Sequence, residues 1–225
     1  MIRKTEFGQR LAWLILKPTF DFFLHFEVRG KENVENVPTN VIFALNHISE
    51  MDALMPSCAF GIFSRYLPIY CVALRHDAYK KLGTFRSFFY REGLFTFIGA
   101  YPMAPGVKDY EVILSPHIEF LKKGNSVEIF PEGGIRRPGK IREPRGGVIA
   151  LAKITGLPIV PVALAGHAFT SPKEFFLRKR RSVITFGKPI FPEELFAGYE
   201  NAGPEQYAEI AKEKIMPKIE ELLEK

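Results

Sequence analysis

The sequence predicts an α/β fold: a mostly parallel sheet flanked by helices, preceded by an N-terminal aromatic-rich helical pair suited to membrane association. Three observations predict it. Apolar runs without polar interruption recur at 41–45, 68–74 and 158–166, which fits strands covered on both faces. Helical patterns fall between such runs, as at 108–122 and 146–156. The length of 225 residues, 47% of them hydrophobic, is enough for one substantial core.

The elements follow in order. The run LAWLIL (11–16) stops at Lys17-Pro18, and FDFFLHF (20–26) is interrupted by Asp21 and His25. Neither reaches the ~20 apolar residues that span a bilayer. No small-residue cleavage site follows them, so a cleaved signal peptide is not expected. They read as two short helices with basic flanks at Arg3, Lys4 and Arg10, which either dock on the core or lie in the membrane surface. On this reading residues 1–30 are a membrane-associating segment and 31–225 the main domain.

FEVRGKENV (26–34) reads as a short strand and polar turn, and 41–45 as a buried strand after the Pro38-Thr39-Asn40 turn. SEMDALMPSCAF (49–60) reads as a helix with Ser49 as N-cap. Strands follow at 68–74 and within 95–103. The helix at 108–122 contains Pro116, which kinks or divides it, and stops at Lys123-Gly124-Asn125. A strand at 126–130, a helix at 146–156 closed by Gly156, and strands at 158–166 and 182–187 complete the alternation. An amphipathic helix at 204–224, interrupted by Pro217, ends it.

In open parallel sheets, ligands bind beyond the carboxyl ends of the strands. Chemistry is therefore sought at Asn46-His47, Gly99–Pro102, Pro131–Gly134 and Ala165-Gly166-His167. Asp52 lies five residues after His47. With His47 in the loop and Asp52 in the first helical turn, the carboxylate would fix the imidazole tautomer and leave the other nitrogen free as a base. Ser49-x-x-Asp52 equally matches a capping box, in which Asp52 satisfies backbone N–H groups only. The local sequence supports both. In VEIFPEGGIRRPGK (127–140), Glu132 follows a strand and precedes paired glycines and Arg136, Arg137 and Lys140. Glycines admit close backbone approach to a phosphate or developing oxyanion, and an Arg fork matches phosphate oxygens.

Composition narrows the partners. Thirty-one Lys and Arg against 25 Asp and Glu give a net charge of +6, which favours anionic partners. The 21 Phe cluster near basic residues at 20–26, 85–97 and 169–176, a pattern suited to a lipid–water interface. FFLRKRRS (175–182) extends it as a membrane clamp. No nucleic-acid motif accompanies the charge, so no nucleic acid is expected. Cys58 and Cys71 show no CxxC spacing and read as buried thiols in a reducing compartment; no metal is expected.

NHISEMD (46–52) fits an N-H-x4-D block, FPEGG (130–134) an F-P-E-G block, and LPIVPVAL (157–164) a later Pro-containing strand. In this order and spacing, over roughly residues 38–190, the chain resembles the 1-acylglycerol-3-phosphate acyltransferase (lysophospholipid acyltransferase) superfamily. The resemblance implies a membrane-associated O-acyltransferase without bound cofactor or metal. His47 would be the general base and Asp52 its orienting partner. Acyl-CoA or acyl carrier protein would be the donor, and a lysophospholipid at an anionic membrane surface the acceptor, by default 1-acylglycerol-3-phosphate giving phosphatidic acid. Asn46, Glu132, Gly133, Gly134, Arg136 and Arg137 would bind substrate, and Pro161 would lie in the strand supporting the acyl site. The implied location is the cytoplasmic face of the cell membrane, peripheral or monotopic.

One departure stands out. GAYPMAPG (99–106) keeps Gly99 and Pro102 but has Ala104-Pro105 where the family places an Arg, with Lys108 as the nearby substitute. That leaves another lysolipid or a glycolipid open as acceptor. A His-Asp thioesterase or hydrolase is a second class, although no G-x-S-x-G elbow is present. A non-catalytic lipid-binding module is a third.

Overall fold

A computed structural model describes residues 2–73, 92–104, 109–135 and 142–224. Among them, the strands are β1 (Glu27–Arg29), β2 (Ile42–Leu45), β3 (Ile69–Ala73), β4 (Ala100–Pro102), β5 (Ser126–Ile129), β6 (Ile159–Ala165) and β7 (Val183–Phe186). They form one sheet in the order β1-β7-β6-β2-β5-β3-β4. Every neighbouring pair is parallel except β6 and β7, so the sheet is mostly parallel.

The helices are α1 (Ile2–Leu24), α2 (Glu32–Glu35), α3 (Met55–Ala59), α4 (Glu92–Phe97), α5 (Tyr110–Ile113), α6 (Ser115–Lys122), α7 (Gly147–Thr155), α8 (Pro172–Phe176), α9 (Pro192–Leu195), α10 (Tyr207–Ile210) and α11 (Met216–Leu223). Strand alternation explains the layering. Ile42, Ala44, Val127, Ile129 and Ala163 point to one side and pack under α6, α7 and the C-terminal helices. Phe43, Leu45, Val160, Val162 and Leu164 point to the other and pack under α1 and α3.

Several boundaries differ from the sequence reading. The N-terminal pair is one continuous helix, α1, with Pro18 inside it. Pro18 lies on the exposed side, where losing one backbone bond is least costly, and the Lys17–Asp21 ion pair spans it. The helix after His47 is a 3-10 turn at Asp52–Leu54 running into α3, with Pro56 in its first turn. Residues 95–103 hold the end of α4 as well as β4. Leu114 separates α5 from α6, placing Pro116 in a helical first turn, which tolerates it. Ahead of Pro217 the backbone widens to a π-helical turn at Ala211–Ile215.

α1 docks through polar side chains. Gln9 Nε2 donates to the carbonyls of Ile69 (2.5 Å) and Ile98 (3.0 Å), and its Oε1 accepts from the Ile69 N–H (2.9 Å). Thr5 bonds the Thr96 carbonyl and the Tyr101 hydroxyl, and the Trp13 indole donates to the Phe60 carbonyl. Phe20 and Leu24 complete the buried side. The other side carries Phe7, Leu11, Leu14, Ile15 and Phe22, all exposed. Phe23 stacks on Phe175 and meets Phe176 edge-on, so the 175–182 segment lies against this helix. No helix among the described residues is long and apolar enough to cross a membrane.

Candidate active site

His47 leaves the carboxyl end of β2 and stacks on Phe130, at the end of β5, with ring centroids 4.1 Å apart. The H-x4-D and F-P-E-G blocks therefore meet through these two rings. The Asp52 carboxylate, fully buried, lies 2.9 Å from His47 Nδ1 through Oδ2. The same oxygen accepts the N–H groups of Ile48 (2.6 Å) and Ser49 (2.9 Å). The bond from Ser49 N is half of a capping box, while the Ser49 hydroxyl accepts from Met51 N and not from residue 52. Capping and orienting thus coexist in one carboxylate.

The other carboxylate oxygen, Oδ1, is 2.7 Å from Nε2 of His167, which is fully buried. On its far side His167 Nδ1 is 2.8 Å from the Ser182 hydroxyl and 3.2 Å from the Ala165 carbonyl. Burial alone would push the Asp52 carboxyl upward. The bonds and charge interactions from His167 and His47 outweigh it and hold the carboxyl below its ordinary value. Gly166 makes this approach possible: its φ is +88°, and a Cβ there would stand 1.8 Å from the Arg181 carbonyl oxygen. The sequence placed His167 at a strand's carboxyl end, but its partnership with Asp52 spans 115 positions and left no local trace.

Asn46, expected to bind substrate, has another task. It is 1% exposed; its Nδ2 donates to the Leu164 carbonyl (2.9 Å) and its Oδ1 accepts from the Leu164 N–H (2.7 Å). The amide extends the β2–β6 ladder and fixes the point where His47 departs. Pro161 lies in β6 opposite Ala44, and its carbonyl accepts from Gly187 N (2.8 Å). Glu132 is 1% exposed beside the turn closed by Gly133 N and the Phe130 carbonyl (3.0 Å). Gly133 has φ +65°, and a Cβ there would meet Arg145 Nε at 2.7 Å; one on Gly134 would meet Arg142 Nη1 at 2.5 Å. Two exposed guanidinium groups therefore lie along the glycine pair, and the sequence reading missed both. Arg136, Arg137 and Lys108, named from the sequence, fall outside the described residues.

His47 is the partly exposed member of the cluster, with 18% of its side chain accessible, so its ring can meet a substrate. Cysteine nucleophiles are not available here: burial pushes the Cys58 thiol up to about 12 and the Cys71 thiol well above its ordinary value. Among the described residues no group of three or more His, Cys, Asp and Glu is arranged to hold a metal ion.

Residues 25–165 match the Acyltransferase family. The chain is 25% identical over 181 residues to the chloroplastic 1-acyl-sn-glycerol-3-phosphate acyltransferase of Brassica napus, covering 75% of this chain and 46% of that protein. It is 28% identical over 193 residues to the 1-acyl-sn-glycerol-3-phosphate acyltransferase of Borreliella burgdorferi, covering 86% and 71%. The chain thus spans about half the length of the plant relative and more of the bacterial one. In fold it is similar to the crystal structure of the 1-acyl-sn-glycerophosphate acyltransferase PlsC of Thermotoga maritima. The TM-score is 0.57 at 20% identity, with 98% of this chain and 79% of that one covered.

Proposed function

The chain belongs to the acyltransferase family, and from that premise we propose that it transfers a fatty acyl group from acyl-CoA or acyl carrier protein to the hydroxyl of a lysophospholipid at a membrane surface. The acceptor is 1-acylglycerol-3-phosphate and the product phosphatidic acid. The names of the two sequence relatives support this acceptor.

One observation carries the reading: a partly exposed imidazole at a strand's carboxyl end, its Nδ1 bonded to a buried carboxylate. Asp52 accepts the Nδ1 proton's hydrogen bond, so Nε2 is left unprotonated and able to take a proton. The acceptor hydroxyl gives its proton to Nε2 as its oxygen attacks the thioester carbonyl carbon. The tetrahedral intermediate collapses with loss of the C–S bond. The departing thiolate takes the proton back from Nε2, releasing free thiol and an ester.

Arg142 and Arg145, beside the Gly133-Gly134 turn, are suited to the acceptor's phosphate, since guanidinium groups match phosphate oxygens in pairs. Arg136, Arg137 and Lys108, outside the described residues, remain part of the proposal from the sequence alone. The exposed apolar side of α1, continuous with Phe176 and Leu177, supports attachment to the lipid surface without a spanning helix. Residues 1–30 are on this reading the membrane-facing segment of the enzyme.

The test is thiol release and product mass spectrometry with 1-acylglycerol-3-phosphate and acyl-CoA on vesicles. His47→Ala is expected to lower turnover by about 10²–10⁴-fold. Full activity in that variant refutes His47 as the base. Thiol release that does not depend on any lysolipid moves the assignment to a hydrolase using the same pair.

A further inference from the structure

We propose that His167 is a positioning residue for the acyl transfer: from the far side of Asp52 it holds the carboxylate in the orientation that keeps His47 in its basic tautomer. The inference rests on the reading of His47 as general base and adds a member to the machinery that sets it.

The argument begins with the carboxylate. Asp52 is fully buried and its two oxygens face different groups. Oδ2 meets His47 and two backbone N–H groups, all on one short segment, residues 47–49. Oδ1 meets His167, at 2.7 Å. The bonds to Oδ2 come from one short segment and fix the carboxylate only relative to that segment. The bond from His167 ties the carboxylate to a second part of the fold, because His167 lies just beyond the end of β6 and not on the segment that carries Asp52.

His167 is itself held. As Asp52 can only accept, Nε2 is the donor and carries the proton. Nδ1 faces the Ser182 hydroxyl at 2.8 Å, on the segment leading into β7. Ser182 is anchored in turn, its N–H donating to the Leu24 carbonyl (2.7 Å) and its carbonyl accepting from Glu27 N (2.9 Å). Ser182 to His167 to Asp52 to His47 is therefore one hydrogen-bonded file, three members of it fully buried and the fourth open to substrate. Any buried histidine needs partners for its nitrogens; what singles out His167 is that one of its partners is the carboxylate that meets the base.

Gln and Asn separate the two sides of the ring. The Gln amide nitrogen reaches the position of Nε2 and keeps the donor to Asp52, whereas Asn reaches only the position of Nδ1. His167→Gln is expected to retain turnover within about threefold of wild type. His167→Asn is expected to lose at least about tenfold in kcat, with KM for lysolipid and acyl-CoA unchanged, because substrate does not touch this residue. Equal kcat in the two folded variants, or a loss expressed in KM alone, overturns the proposal. Histidine ¹⁵N NMR of the wild-type chain needs no variant: a proton on Nε2 of His167 and on Nδ1 of His47 is expected, and a bare His167 Nε2 overturns it. His47→Ala keeps the readings apart. An active His47→Ala refutes the base itself, while an inactive one alongside a fully active His167→Asn refutes only the role of His167.

Discussion

At the scale of single residues, Asp52 is a saturated acceptor. Four donors converge on it: His47, His167 and the N–H groups of Ile48 and Ser49. So many bonds favour the ionised form, and in the proposed mechanism the carboxylate is a fixed charge that orients His47 and does not take its proton. Asp52→Asn puts an NH₂ group against donors whichever way the amide faces. Loss of at least about 10²-fold in turnover is expected, together with destabilisation of about 1–3 kcal/mol from the unpaired polar atoms. Steady-state kinetics and a urea melt of the same preparation check both. The pairing of His47 with Asp52 was legible because five residues of loop and turn contain it. Its competitor, the capping box, was equally legible and proved compatible. The structural bonds of Asn46 were not legible because its amide partner, Leu164, lies 118 positions away on another strand. Arg142 and Arg145 were missed because sequence order favours the cations nearest the motif, whereas in the fold these later ones lie beside the glycines.

At the scale of elements, α1 departs from the usual amphipathic plan in its first half. Its inward side places Thr5 and Gln9 among backbone carbonyls, while Phe7 and Ile15, each 64% exposed, face outward with Leu11, Leu14 and Phe22. These positions recur at helical spacing, so the apolar residues form a stripe along one side. Replacing Leu11 and Ile15 together by Glu removes apolar contact without touching the docked side. Binding to anionic phospholipid vesicles is expected to fall at least tenfold in a sedimentation assay, with the thermal midpoint changed by no more than surface substitutions usually change it. Unchanged binding refutes the attachment mode. The sequence showed the aromatic and apolar content of this region but divided it at Lys17-Pro18, since propensity at a proline says nothing of the neighbouring turns docked through Gln9 and Trp13. Parallel strands β2, β3 and β6 were legible from apolar runs. The antiparallel turn into β7 was not, because strand periodicity is the same in either direction.

At the scale of the whole molecule, the two sides of the sheet respond to pH in opposite senses. His117 is buried in α6, and burial pulls its imidazole down to about 4, only partly offset by the Cys71 and Tyr101 backbones. The folded chain thus refuses a proton that the unfolded chain accepts near 6.5. This contribution, about 3 kcal/mol at most, is intact above pH 6.5 and is lost as the pH falls towards 4. Glu128, on the other face of β5, is 1% exposed, and burial raises its carboxyl well above the ordinary value. Its contribution is fully present below about 4.5 and is lost as the pH rises through the folded value. Glu128→Met is therefore expected to raise the melting temperature at pH 8 and change it little at pH 4, and His117→Leu to flatten the acid side of the curve. Calorimetric melts across that range check both, and curves that superimpose on wild type refute the assignment. The sequence could not foresee this pair, since a charged residue in a strand carries no mark of which layer will cover it.

The outward stripe of α1 has one more consequence. On the proposed attachment through that side of α1, the protein shares a plane with its acceptor. The quantity its site samples is then the mole fraction of lysolipid in that plane and not the amount per volume of water. Adding inert phospholipid dilutes the acceptor for this enzyme, while adding buffer does not. On that reading the search that brings a hydroxyl to His47 becomes two-dimensional.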